Sequence, residues 1–225
     1  MSIAADFLLI GWLTLEGTGA AIWVGAAYAT YYLPMSLFGL LLGSVADSFR
    51  RDRLLLLLET VSAMLLAGLA LLYWSKPIEL YDVIFLAFVL GLLRAMQSTI
   101  RLSYAYDIAG PERAIAALAG VSIALRFGTV PGAIAAGLVL ERYGVVVTLL
   151  AMSAAHVTAL LPLVAQSQPV RVHLRKRAIV LSQLAESARE LRSNPVLRTL
   201  FVMTLLIEIC GISFLTLLPS VAREK

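Results

Sequence analysis

Gly43-Ser44-Val45-Ala46-Asp47-Ser48-Phe49-Arg50-Arg51-Asp52-Arg53 lies between two long apolar runs. Residues 20–46 hold one proline, Pro34, and no charge. Residues 54–74 hold a single carboxylate, Glu59. A helix rises ~1.5 Å per residue and the hydrocarbon core of a bilayer takes about 20 residues, so each run is long enough to cross. The pattern predicts a tight, basic hairpin loop between two membrane helices.

The rest of the chain has the same character. It is 60% apolar and 14% charged, with mean hydropathy +0.90. A soluble domain has about 45–50% apolar and about 25% charged residues. The excess runs along the whole chain, so the fold class is an all-α, polytopic membrane protein embedded in the lipid bilayer. The net charge of +4 does not indicate nucleic acid, because most basic residues fall between spans. A single cysteine, Cys210, excludes an intrachain disulfide. His156 and His173 are the only histidines, and no zinc-type spacing exists, so no metal and no cofactor is expected. Residues 1–6 lack the basic segment and cleavage site of a secretory signal and are taken as part of a span.

Apolar runs place spans at residues 1–15, 22–46, 54–74, 83–104, 114–140, 145–165 and 200–219. The first is too short to cross alone and closes at Glu16-Gly17-Thr18-Gly19. Between the sixth and seventh spans, residues 166–198 are polar. Leu181, Leu184, Ala188 and Leu191 form one apolar stripe there at helical spacing. The stripe predicts an amphipathic helix along the membrane surface, ended by Asn194-Pro195.

Lysine and arginine counts set the orientation. If the loop at Asp47 is cytoplasmic, alternation adds the loop near Pro111 and residues 166–198. That side then holds Arg50, Arg51, Arg53, Arg113, Arg171, Arg175, Lys176, Arg177, Arg189, Arg192 and Arg198. The other side holds Lys76, Arg142, Arg223 and Lys225, a bias of 11 to 4.

The 43–53 stretch resembles the signature loop between the second and third helices of the major facilitator superfamily. That pattern is Gly, three residues, Asp, Arg, any residue, Gly, Arg, then Arg or Lys. Gly43, Asp47 and Arg51 match it, while Ser48, Arg50 and Asp52 depart from it. Trp23-Val24-Gly25, Tyr32-Leu33-Pro34, the linker end Asn194-Pro195-Val196-Leu197-Arg198 and Leu217-Leu218-Pro219 are similar to the enterobactin-exporter and drug-efflux branch. The resemblance implies a six-helix N-terminal bundle at residues 1–165, a cytoplasmic linker at 166–198 and the first helix of a C-terminal bundle at 199–225. A complete member runs to about twelve spans in two pseudo-symmetric halves. The expectation is therefore a piece of a secondary transporter whose C-terminal half is missing and is its partner. The implied activity is proton-coupled efflux of small amphipathic molecules or siderophores across the plasma membrane, a bacterial inner membrane. The other class considered is a small polytopic scaffold or assembly subunit without transport. An enzyme is not expected: no Gly-x-Ser-x-Gly elbow and no phosphate-binding loop occurs.

Charge inside a membrane span is costly, at least ~2.5–3.5 kcal/mol near the centre, so each such residue should face protein or water. Arg94 and Gln97 match the superfamily's fourth-helix Arg-x-x-Gln-Gly motif, with Ser98 in place of the glycine. By that resemblance Arg94 lies in a central cavity. Asp6 and Glu208 are candidate protonatable carboxylates, with Asp6 placed opposite Arg94 or Arg126. Gly43, Asp47, Arg50 and Arg51 form the implied gating loop. Arg126 precedes Gly128, Pro131 and Gly132, a small-residue pair that permits close helix contact with a proline kink beside it. Arg101 is expected to snorkel to the interface. Glu59 is expected to partner the loop arginines there. His156 is expected to be a satisfied core histidine, and Tyr28, Tyr31 and Tyr32 to serve packing.

Overall fold

A computed structural model describes residues 3–46, 49–75, 79–165, 189 and 192–207, with side chains left aside for 38–46. Every regular element among them is an α-helix. These are α1 (Ile3–Thr18), α2 (Ala21–Ala46), α3 (Arg51–Ser75), α4 (Leu80–Ala109) and α5 (Ala114–Ala165). A shorter apolar helix, α6, covers Pro195–Ile207. Lipid offers the backbone no hydrogen bonds, so apolar runs of this length satisfy their own polar groups only as helices.

Helix ends follow local chemistry. Gly19 at φ 68° ends α1, and its N–H donates to Leu15 O. Gly110 at φ 71° ends α4, with its N–H on Tyr106 O. The Asp82 carboxylate accepts from the Glu79 N–H at the start of α4. The α5 segment is two helices that meet at a kink. Gly144, at φ 78° and ψ −177°, is its one non-helical residue, and residues 114–143 and 145–165 form two arms. The expected fifth and sixth spans are therefore these arms. Pro131 does not break the first arm.

Two boundaries differ from expectation. Arg51, Asp52 and Arg53 were assigned to the hairpin loop, but they form the first turn of α3, where Asp52 complements the positive end of the helix dipole. Residues 43–46 belong to α2, as the span at 22–46 has it. The connection is thus shorter than the motif, and Asp47 lies outside the described residues. So do residues 166–188, which hold most of the expected surface helix. The α6 helix starts at Pro195, earlier than the predicted seventh span, and Glu208 falls beyond the described part.

By length and composition, α3, α4 and α5 are apolar enough to cross a membrane. The closest pairings are α2 with α4 and α3 with α5, while α1 packs on α2, α4 and α5. Leu9, Ile10, Val24, Leu66, Leu86 and Leu149 fill the core. The α2–α4 contact depends on Gly91: a Cβ there would lie 1.9 Å from Tyr31 O. The outer faces remain apolar, with Ile123, Phe127, Val130 and Leu138 of α5 all exposed. A helix with apolar core and lipid faces shows little amphipathic contrast.

Candidate functional site

Three apolar helices carry one buried ionic centre. Asp6 of α1 is 0% exposed and faces Arg94 of α4. Arg94 Nε donates to Asp6 Oδ2 at 2.6 Å, and Nη2 donates to Oδ1 at 3.1 Å. This bidentate fork is the strongest arrangement available to the pair. Tyr31 of α2 adds a third donor, its hydroxyl lying 3.1 Å from Asp6 Oδ2. The Gly91 contact, one turn before Arg94, brings α2 close enough for this bond. Phe7 stacks within 4.7–5.4 Å of Tyr28, Tyr31 and Tyr32, and the Tyr28 hydroxyl donates to Phe7 O. The tyrosines therefore pack around α1, and one of them also completes the ionic centre.

Gln97, one turn after Arg94, extends the polar path. Its Oε1 accepts from Arg94 Nη1 and from Arg101 Nη2, both at 3.5 Å. Its Nε2 donates to Ser62 Oγ at 3.0 Å and to Leu58 O at 3.4 Å. Arg101 Nη2 then donates to Glu59 Oε1 at 2.5 Å. Glu59 Oε2 lies 2.5 Å from His156 Nδ1. The result is a continuous polar path, Tyr31–Asp6–Arg94–Gln97–Arg101–Glu59–His156, contributed by five helical segments.

Several expectations change here. Glu59 does not serve the loop arginines: it is 2% exposed and pairs with Arg101 and His156. Arg101 does not snorkel away from protein but turns inward to Glu59. His156 is 1% exposed and satisfied on one side only, because Nε2 has no partner among the described residues. The helix ends of the structure show why these three residues meet. Arg51 to Glu59, Arg101 to Ala109 and His156 to Ala165 are each a little over two helical turns, about 12–14 Å along the helix. All three residues thus sit at one depth from the same end of the bundle.

Asp6 meets Arg94 and not Arg126. Arg126 lies in an open groove on α5 with Ser122, Ile123, Phe127, Val130 and Pro131. A Cβ at Gly128 would meet nothing within 4 Å, so that member of the small-residue pair touches no neighbouring helix among the described residues. The α1–α5 approach uses Gly137 instead, 3.6 Å from Leu8 by the same measure. Gly132 lines a cavity of about 170 Å³ with Ala5, Ala136, Thr148 and Met152, next to Asp6 in the chain.

The two loop arginines behave differently. Arg51 reaches across to α4, donating to Ser103 O at 3.0 Å and to the Asp107 carboxylate. Arg50 stays local, with Nη2 on Asp52 Oδ2 at 2.8 Å. That hydrogen bond raises the exposed Arg50 guanidinium above its ordinary value.

The sequence model of the Major Facilitator Superfamily matches residues 2–225. Comparison with curated proteins and with solved structures gives no match. This is a family of transporters, which disfavours both an enzyme and a transport-free scaffold. Its members carry small molecules across membranes, in keeping with the three bilayer-length apolar helices. The chain therefore belongs to the Major Facilitator Superfamily of membrane transporters.

Proposed function

We propose that this chain is the N-terminal six-helix bundle, linker and seventh helix of a proton-coupled exporter of small amphipathic molecules or siderophores. Residues 1–165 form the bundle, 166–198 the cytoplasmic linker, and 199–225 the first helix of a second bundle that completes the transporter. The membrane is the bacterial inner membrane, and the 43–53 connection faces the cytoplasm.

The observation that carries this reading is the buried Asp6–Arg94 pair with Tyr31 and Gln97 around it. A structural pair this deep contributes little net stability, because desolvating both charges offsets their attraction. Breaking it by neutralising one partner is costly, which ties the protonation state of Asp6 to the packing of α1 against α4. Proton entry at Asp6 releases Arg94, and the freed guanidinium becomes available to an anionic group or to a second conformation.

The test is transport by the whole transporter in proteoliposomes, with ethidium and a catechol siderophore as probes and an internal pH dye as the second readout. Asp6→Asn is expected to abolish pH-gradient-driven transport of either probe, and Asp6→Glu, which keeps the charge opposite Arg94, to retain part of it. Gradient-driven transport at the wild-type rate in Asp6→Asn would overturn the role of the pair. Transport that ignores the gradient in the wild type would overturn proton coupling.

A further inference from the structure

We propose that His156 and Glu59 form a second proton-binding site, in which the proton adds to His156 Nε2 and the resulting charge is transmitted to Asp6–Arg94 through Arg101 and Gln97. The inference rests on the reading of the chain as a proton-coupled transporter, and it adds a site that the Asp6–Arg94 pair does not contain.

The geometry determines which atom takes the proton. Glu59 accepts from Arg101 on one oxygen and contacts His156 on the other. An ionised carboxylate only accepts, so His156 Nδ1 must carry the hydrogen in that bond. In neutral imidazole the lone pair is then on Nε2. That atom is buried and has no partner among the described residues. A buried polar atom left unpaired in a native structure is rare and calls for an explanation. Protonation converts this lone pair into an N–H donor that likewise has no acceptor among the described residues, so it is the Glu59 carboxylate, 2.5 Å from Nδ1, that holds the added charge. The carboxylate already held by Nδ1 then faces an imidazolium instead of a neutral ring.

The charged groups around the imidazole come from every helix packed on α5. Glu59 from α3 touches the ring, Arg101 from α4 is on the other oxygen of Glu59, and Arg94 from α4 and Asp6 from α1 follow beyond Gln97. Before protonation Glu59 balances Arg101. Afterwards one carboxylate serves two cations, and its hold on Arg101 weakens. Arg101 and Arg94 share Gln97 Oε1, so a displacement of Arg101 is felt at Arg94. The alternative occupant, a metal ion, is disfavoured because no group of three or more His, Cys, Asp or Glu side chains gathers among the described residues. Ser153, one turn before His156, donates to Ala63 O at 2.8 Å and locks the α5 arm against α3, which holds the ring in place. Arg101 is the one member of the trio with appreciable side-chain exposure, at 24%. It stands between Gln97 and Glu59 in the path.

The test is ¹⁵N NMR of histidine-labelled protein in lipid nanodiscs, titrated from about pH 4 to about pH 9, a range that brackets the ordinary histidine value. Only two histidines exist, so a His173→Gln variant leaves His156 as the sole signal. The expected result is Nε2 passing from a lone-pair shift to a protonated shift while Nδ1 stays protonated throughout. Glu59→Gln should shift the midpoint downward by at least tenfold in proton concentration, and Asp6→Asn should move it measurably. A ring that keeps one protonation state over the whole range, or a midpoint unmoved by both substitutions, overturns the proposal. If Glu59→Gln fails to fold, the wild-type titration and Asp6→Asn still decide. The readout is independent of transport. A titrating, Asp6-linked His156 in a protein that ignores pH gradients would refute coupling alone, whereas a silent ring in a coupled transporter would refute the second site alone.

Discussion

Gly91→Ala is the sharpest perturbation of this architecture, because ordinary helix chemistry predicts the opposite sign. Alanine in a helix is favoured over glycine by ~0.5–1 kcal/mol. At Gly91, however, the new Cβ would lie 1.9 Å from Tyr31 O and 2.8 Å from Tyr31 C, both backbone atoms. Ordinary non-bonded separations are ~3.5 Å, so α2 and α4 must part by roughly 1.5 Å. Forcing extra volume into a packed contact costs typically ~1–3 kcal/mol. The movement also draws the Tyr31 hydroxyl, now 3.1 Å away, off Asp6, and hydrogen bonds to charged groups contribute ~1.5–3 kcal/mol. The net expectation is a loss of roughly 1.5–5 kcal/mol after the helix-propensity gain is subtracted. Gly68→Ala is the internal control: a Cβ at Gly68 meets nothing within 4 Å, so it should be neutral or stabilising by ~0.5–1 kcal/mol. Scanning fluorimetry in one detergent compares the two. At ~2–4 °C per kcal/mol for a domain of this size, Gly91→Ala should melt at least ~3 °C below Gly68→Ala. A Gly91→Ala protein that melts with or above Gly68→Ala would refute the claimed α2–α4 contact and the placement of Tyr31 that depends on it.

Two further outcomes are expected. The Arg51–Asp107 pair is part-buried and Arg51 also holds Ser103 O, so Asp107→Asn should cost on the order of 1 kcal/mol, and a double-mutant cycle with Arg51→Ala should show coupling of at least ~0.5 kcal/mol; strict additivity would mean the two helix ends do not meet. A cysteine at the exposed Phe49, in a Cys210→Ser background, should resist an impermeant thiol reagent in intact cells and react after lysis, whereas labelling in intact cells would reverse the orientation.

The legibility of the chain in its sequence varied by element for physical reasons. Apolar runs longer than the bilayer core leave the backbone one solution, so the existence of α2 to α5 and their order were readable from residues 20–165 alone. The Arg94–Gln97 spacing also pointed to the fourth helix, where Arg94 is buried against Asp6. Helix ends were harder, since Arg51–Arg53 look like a loop by charge but suit the first turn of a helix once Asp52 is set against its dipole. Pro131 and Gly128 looked like a kink and a packing seam, yet neither signal can say which face of the helix meets protein.

What the sequence by itself determined, then, is the class of the molecule, because hydrophobicity and length are properties of the chain that hold in any packing. Membership of the superfamily follows from motifs of the same local kind. Which charges pair was decided only by tertiary structure. Asp6 finds Arg94 rather than Arg126 because α1 packs against α4 while Arg126 lies in an open outer groove. Glu59, Arg101 and His156 are separated by 42 and 55 residues in the chain and become neighbours only because three helices share one depth at one end of the bundle. Ion pairing inside a low-dielectric bundle is a matter of a few ångströms, and those ångströms are set by contacts such as Gly91 on Tyr31 that no local pattern encodes.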